Sequence, residues 1–117
     1  MKIEFVASDA EAGETFAVAV AAFEDGALPA AAEALDKATG GAVTRAMAGG
    51  RFTGALGQSL DLIAPHGVKA ARILVVGAGT RDKLDARTIE LAAAHAYQAV
   101  KASGVDTLLI QMPGAPP

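Results

Sequence analysis

The segment from Arg72 to Gly79 constrains the fold of this 117-residue chain more than any other part of the sequence. It reads RILVVGAG and contains four consecutive apolar residues, three of which are β-branched. Such a run is typical of a strand that is buried on both faces of a sheet. Gly77 and Gly79 end the strand, and a helical pattern begins near Asp85. A strand, a glycine turn and a helix in this order predict an α/β unit.

The glycine turn is the first candidate binding site, because α/β sheets bind ligands at the C-terminal ends of their strands. The dinucleotide fingerprint needs a third glycine three residues after the second, and this chain has Asp82 there. A helix that starts near Asp85 begins too far along the chain from Gly77 to direct its N-terminus at a pyrophosphate held there. The two carboxylates would also repel an anion. The turn at Gly77 and Gly79 is therefore predicted to be structural, with backbone angles that favour glycine.

Composition excludes several classes of site. A chain of this length forms one domain or is a piece of a longer protein. The absence of cysteine excludes disulfides and thiolate zinc sites. A net charge of −3, with ten basic residues spread along the chain, disfavours nucleic-acid binding, which needs a clustered basic face. Four Phe, one Tyr and no Trp also supply few rings on which bases could stack.

The N-terminal segment and the longest apolar run indicate a cytoplasmic protein without a membrane segment. Acidic residues interrupt the first fourteen positions, so they do not form the continuous apolar core of a signal peptide. The run from Phe16 to Phe23 is far too short to span a bilayer. The alanine-rich, apolar composition also suggests that part of the surface is covered by a partner, which predicts self-association of the isolated chain.

Periodicity predicts five strands and at least two helices. The strands are expected at Lys2–Ala7, Phe16–Phe23, Gly54–Pro65, Arg72–Val76 and Asp106–Met112. Helices are expected at Leu28–Thr39, with Pro29 in the first turn, at Ala42–Ala48 and at Asp85–Ser103. The first two strands could pair as a hairpin or lie as neighbours. The β–α–β order from the third strand onward predicts parallel pairing through a right-handed crossover.

The last helix has the clearest pattern. Asp85 is a good N-cap, with Thr88 three residues later. A buried stripe is expected at Ile89, Ala92, Ala93, Ala96 and Val100. Leu91 projects away from this stripe, and it is either an ordinary exposed leucine or a contact with another domain or subunit.

Two sets of polar residues are candidate metal ligands or nucleophiles. His66 and His95 lie 29 positions apart, and neither has a carboxylate or second histidine at ligand spacing, so a solvated turn histidine and a helix-margin histidine are favoured. Ser8, Ser59 and Ser103 lack the G-x-S-x-G pattern of a hydrolase nucleophile.

Two charged pairs have simple structural explanations. Asp82 and Asp85 could form a carboxylate pair, but a loop followed by a helix N-cap explains both. Arg45 and Arg51 flank Gly49 and Gly50 and could meet an anion. A solvated surface is the favoured interpretation of the two arginines.

The order of several segments resembles the N-terminal domain of the leucyl aminopeptidase family, the cytosol aminopeptidases. The matching segments are FTGALGQ at Phe52–Gln58, RILVVGAG at Arg72–Gly79 and LAAA at Leu91–Ala94. The strand at Asp106–Met112 and the early strands that end in FEDG at Phe23–Gly26 follow in the family's order. The resemblance covers essentially the whole chain. It rests on the order and spacing of these segments more than on any single motif.

The resemblance implies a fold and a place in a larger enzyme. It implies an α/β domain with a mixed, mostly parallel sheet flanked by helices, similar to macro domains. It also implies that residues 1–117 form a non-catalytic N-terminal domain, incomplete at its C-terminal end, of a bacterial aminopeptidase that removes N-terminal residues from peptides. The parent would carry two divalent metals (Mn or Zn) in its own C-terminal catalytic domain and assemble as a hexamer. No metal ligand or catalytic residue maps onto this chain, whose own role would be interdomain packing and assembly.

Two alternatives remain open at this point. A free-standing macro-like module could bind ADP-ribose or a related nucleotide at the turn of Gly77 and Gly79, although the longer glycine-rich phosphate loop of such binders is absent. A DNA-binding accessory role is the second alternative, and the acidic balance of the chain argues against it.

Overall fold

A five-stranded mixed sheet forms the centre of the fold. The computed structural model describes residues 2–6 and 15–111. The strands are β1 (Lys2–Phe5), β2 (Phe16–Ala22), β3 (Ser59–Ile63), β4 (Arg72–Gly77) and β5 (Thr107–Gln111). The helices are α1 (Ala30–Ala38), α2 (Ala42–Ala48) and α3 (Ala86–Val100), with a short 3-10 turn at Arg81–Lys83. The strand order is β1-β5-β2-β4-β3, and only β3 runs antiparallel to its neighbour. The predicted α/β class, with a mostly parallel sheet flanked by helices, is confirmed.

The two strands at the centre are buried because both faces of the sheet are covered. β2 and β4 pair in parallel, with Val18 level with Ile73 and Val20 level with Val75. All four side chains are almost completely inaccessible to solvent. Neither strand has a polar side chain in this region, so burial leaves no side-chain hydrogen-bonding group without a partner.

One helical layer lies on each face of the sheet. α3 packs on the face that carries Ala17, Ala19, Leu74 and Leu108. The opposite face, with Val18, Val20 and Ile73, packs against α1 and α2 through alanines and Val43. Most of the buried helix residues are alanines, which allows the helix backbones to approach the sheet closely.

The helix ends follow the sequence signals. The carboxylate of Asp85 accepts a hydrogen bond from the backbone N–H of Thr88 at 2.8 Å, so the predicted N-cap of α3 is confirmed. Pro29 lies one residue before α1 rather than in its first turn. α1 therefore begins two residues later than Leu28. Glu33 and Lys37 form an ion pair on its exposed face, at 3.6 Å.

The predicted third strand, Gly54–Pro65, is mostly wrong, because only Ser59–Ile63 is extended and paired. Gly54 and Gly57 have φ angles of +88° and +89°, which break an extended backbone. Ala64, with φ of +49°, ends the strand on the other side. The alternation of Leu60 and Leu62 with polar residues is real, but it covers five residues.

The predicted strand pairing also needs two corrections. β1 and β2 do not pair as a hairpin or lie next to each other, because β5 is inserted between them and pairs in parallel with both. β3 is antiparallel to β4, so the parallel crossover is limited to β4–α3–β5, and it passes over β2. The predicted strand ends at Ala7 and Met112 lie outside the described residues.

Candidate functional site

The carboxyl ends of β2 and β4 form the position where α/β sheets commonly bind ligands. The chain leaves β2 towards α1 and α2 on one face and leaves β4 towards α3 on the other. Adjacent strands whose connections go to opposite faces create a crevice at their carboxyl ends. The predicted ligand turn at Gly77 and Gly79 lies at this crevice.

The backbone of this turn is fully engaged within the protein. A phosphate site at a glycine turn requires N–H groups that point at the ligand. Here all three N–H groups of the turn donate to backbone carbonyls of neighbouring segments. The bonds run from Gly77 to Gln58 at 2.9 Å, from Ala78 to Ala22 at 3.0 Å and from Gly79 to Gly54 at 2.9 Å. The turn therefore offers no N–H group to a phosphate in this conformation.

Gly77 and Gly54 must be glycines, because other backbone segments approach them closely. A Cβ atom at Gly77 would collide with the carbonyl oxygen of Ala55. A Cβ atom at Gly54 would collide with the carbonyl oxygen of Phe23, and Gly54 also has a positive φ. The segment 54–58 thus lies across the ends of β2 and β4, and we call it the strand-end loop.

The strand-end loop is closed by one side chain. The side-chain oxygen of Gln58 accepts hydrogen bonds from the backbone N–H of Thr53 at 2.7 Å and from its hydroxyl at 3.0 Å. The N–H of Gln58 donates to the carbonyl of Ala55 at 3.1 Å. The segment FTGALGQ is thereby explained as a loop that covers the strand ends.

Two shallow depressions lie beside the turn of Gly77 and Gly79. One is lined by Asp25, Thr80, Arg81 and Asp82. The other is lined by Glu24, Leu56, Ala78, Gly79, Thr80, Lys83 and Thr88. Thr80 contributes to both, and its hydroxyl oxygen is buried without a hydrogen-bond partner among the described residues.

The charges around these depressions are mixed and partly paired. The guanidinium of Arg81 lies 3.8 Å from the carboxylate of Asp25 and 5.3 Å from the centre of the Phe23 ring. Both charged partners are exposed, so the pair is weak. Carboxylates alternate with cations here, which is unlike the clustered positive charge of an anion site.

The two aspartates after the turn have separate environments. Asp82 lies in the 3-10 turn and is exposed. Hydrogen bonds from the N–H and hydroxyl of Thr88 lower the pKa of Asp85 below its ordinary value. A capping carboxylate with a lowered pKa is ionised at neutral pH, which makes it a poor general acid.

The comparisons with known proteins give one consistent result. The model of the cytosol aminopeptidase family, N-terminal domain, matches residues 19–116. The chain belongs to this family. A protein of Caulobacter vibrioides named "Probable cytosol aminopeptidase" is 53% identical over 112 residues, which cover 96% of this chain and 23% of the relative. A protein of the same name from Nitrosococcus oceani is 36% identical over 110 residues, or 94% of this chain and 22% of the relative.

A solved structure supports the fold of this chain. A mutant of tomato leucine aminopeptidase superposes with a TM-score of 0.69 at 20% sequence identity, over 96% of this chain and 23% of that chain. At this identity the likeness concerns the fold alone. The chain thus spans less than a quarter of the length of the proteins that it matches.

Among the histidines and serines that the structure describes, one pair is brought together: His95 and Ser59. His66 is exposed in the turn before β4, as expected. His95 is half-buried on α3, and its Nε2 atom lies 3.3 Å from the hydroxyl of Ser59 on β3. The sequence carries no signal of this contact, since only the position of α3 over the sheet brings the two residues together. Ser103 bonds the Val100 carbonyl at the end of α3, and Ser8 lies outside the described residues.

Arg45 and Arg51, for which a solvated surface is the favoured interpretation, lie in different surroundings. Arg45 donates to the carbonyl of Gly40 at 2.6 Å in the turn between α1 and α2, while Arg51 is an exposed residue after α2. In that turn, burial acts to raise the pKa of Asp36. Hydrogen bonds from Thr44 and the N–H of Val43, with the charge of Arg45, outweigh burial and lower the pKa overall. The cluster thus stabilises the connection between two helices.

Proposed function

We propose that residues 1–117 form the non-catalytic N-terminal domain of a longer leucyl aminopeptidase, a hydrolase that removes N-terminal amino acids from peptides. On this proposal the domain is incomplete at its C-terminal end, and the catalytic domain lies outside this sequence. The observation that carries the proposal is the family match over residues 19–116, together with relatives more than four times as long. The engaged backbone of the Gly77–Gly79 turn is consistent with a structural role for this edge of the sheet.

The metals of the proposed parent enzyme do not fit the residues described here. Within residues 2–6 and 15–111, no group of three or more His, Asp or Glu side chains is arranged to hold a metal ion. We therefore assign the two divalent metals (Mn or Zn) to the C-terminal catalytic domain. No catalytic or metal-binding residue is assigned to this chain.

The role proposed for the domain itself is packing and assembly. Leu91 is 49% exposed on the outer side of α3, away from the buried stripe, as predicted. We propose that it contacts another domain or subunit of a homohexamer, and that peptides are the substrates of the whole enzyme. The family name supports a cytoplasmic location, which is part of the same proposal. In the described part of the chain, no helix is both long and apolar enough to cross a bilayer.

No observation favours a second function. The matched family and relatives are aminopeptidases by name, which gives no support to a nucleotide-binding or DNA-binding role. ADP-ribose would need N–H donors at the turn of Gly77 and Gly79, and these are already used.

The experiment that tests the proposal is an activity assay on the full-length protein encoded by the gene. Leucine p-nitroanilide should be hydrolysed, a chelator should abolish the activity, and Mn²⁺ or Zn²⁺ should restore it. The variant His95→Ala should retain kcat within about twofold, because this histidine is not expected to touch substrate. An inactive full-length protein, or a folded His95→Ala variant that loses kcat by about a hundredfold, would contradict the proposal.

A further inference from the structure

Three large apolar side chains are left exposed on the β1 side of α3. Ile3 is 44% exposed, Phe5 is 49% exposed and Tyr97 is 37% exposed. In the parallel register, Ile3 is level with Leu108 and Phe5 is level with Ile110. Leu108 and Ile110 belong to the core under α3. Since residues level with each other in neighbouring strands point to the same side, Ile3 and Phe5 lie on the α3 face.

Tyr97 faces the same region from α3. His95 contacts Ser59 on β3, so its flank of the helix faces the β3 edge of the sheet. Tyr97 follows two residues later, about 200° further round the helix, and therefore lies on the opposite flank, towards β5 and β1. Ile3 and Phe5 thus form the floor, and Tyr97 part of the wall, of an apolar depression that we call the β1 groove.

The dimensions of the sheet show what fits this groove. α3 packs on β4, β2 and β5, so its axis lies close to the middle strand, β2. Packed helices lie about 8–10 Å apart and strands about 4.8 Å apart. A second helix beside α3 would therefore lie two strands away from β2, which is over β1.

We propose that a helix from the part of the aminopeptidase chain that follows this domain fills the β1 groove. This inference rests on the proposed function, in which the domain precedes a longer chain. The relatives supply ample sequence, because the matched region is only 23% of their length.

The handedness of the fold indicates the direction that this helix takes. The β4–α3–β5 connection steps across the sheet from β4 towards β1, with α3 on one face. Such parallel crossovers are right-handed in about 98% of cases. A further crossover on the α3 face would step in the same direction and place its helix over β1. A crossover on the other face would lead from β5 back towards β2, and both edges of β2 are already paired.

Thiol labelling of the full-length aminopeptidase tests this assignment. The 117 residues contain no cysteine, so Phe5→Cys and Glu33→Cys each introduce one thiol into this domain. Glu33 is an exposed residue of α1 on the opposite side of the sheet and serves as the control. Maleimide labelling, followed at each position by peptide mass spectrometry, should be at least about tenfold slower at position 5 than at position 33 in the native protein. The two rates should become equal in urea.

Three outcomes separate the alternatives. Slow labelling at position 5 that persists on dilution is the expected result. Labelling within about threefold of the control overturns the proposal. Protection that disappears on dilution would identify a second copy of the chain in the groove, and it would also overturn the assignment to a helix of the same chain.

A second readout uses the unsubstituted protein, in case Phe5→Cys does not fold. Tyr97 is the only tyrosine in these 117 residues, so nitration of its peptide reports on the groove directly. The expected result is nitration that is at least about tenfold slower in the native full-length protein than in urea, and equal rates overturn the proposal. The leucine p-nitroanilide assay is independent: an active enzyme with an unprotected groove refutes this inference while the proposed function stands.

Discussion

Individual glycines and aspartates determine how the ends of the strands and helices are held. Gly77 accommodates the backbone of the strand-end loop, and Asp85 accepts the hydrogen bonds that begin α3. The first contact is non-local and the second is local. A local contact such as the Asp85 cap can be predicted from the sequence, whereas the non-local contact at Gly77 cannot.

The substitution Gly77→Ala should destabilise the domain. The added methyl group would collide with the carbonyl oxygen of Ala55, which is backbone and cannot move without displacing the strand-end loop. A cost of about 1–3 kcal/mol in the free energy of unfolding is expected from overpacking of this kind. Gly50→Ala is the matched control, because its nearest neighbour, the carbonyl oxygen of Ala46, is at an ordinary 3.6 Å. Equal urea midpoints for the two variants would show that the loop does not lie against Gly77.

The N-cap of α3 should make stability depend on pH in the acid range. The pKa of Asp85 is lowered in the folded protein from its ordinary value of 3.8 by its bonds to Thr88. Its contribution is therefore present above the ordinary pKa and is lost as the pH falls through the lowered folded value. Asp85→Asn keeps an acceptor that does not titrate. Thermal unfolding from pH about 6 to about 2.5 should show a smaller loss of Tm for Asp85→Asn than for the unsubstituted protein. Parallel Tm curves would contradict this assignment.

Secondary-structure elements show where sequence reasoning succeeds and where it stops. β2, β4 and α3 were predicted because their signals are local: apolar runs, a cap and a helical stripe. The pairing of β1 with β5 and the antiparallel direction of β3 were not, because both depend on residues far apart in the chain. In the candidate site, the glycine turn was located correctly. Residues 54–58 are predicted as part of a strand, because the contact that makes them a loop, between Ala55 and Gly77, joins residues 22 positions apart in the chain.

The alanine stripe of α3 should tolerate no larger side chain. Ala96 is fully buried against the sheet, whereas Ala94 is exposed on the outer side of the same helix. Ala96→Leu should therefore lower the free energy of unfolding by about 1–3 kcal/mol through overpacking, and Ala94→Leu should change it by less than about 0.5 kcal/mol. Urea unfolding followed by circular dichroism measures both. A larger effect at position 94 than at position 96 would mean that α3 presents a different face to the sheet.

At the scale of the whole molecule, the domain has a well-buried core and exposed apolar side chains on its surface. Both faces of the three inner strands are covered, and the carboxyl ends of β2 and β4 are closed by the strand-end loop. Exposed apolar side chains remain at the β1 groove and at Leu91 on α3. Such patches on a small domain are typical of surfaces that another part of an assembly covers. This distribution supports the proposed role of the domain in packing and assembly.

The most direct test of the central claim is to determine the reading frame of the gene beyond codon 117. Translation is expected to continue into a domain several times longer, with Asp, Glu and Lys residues at the spacing of a two-metal site. A stop codon directly after Pro117 would contradict the account. The chain would then be a free-standing domain with the fold of an aminopeptidase N-terminal region and without the enzyme.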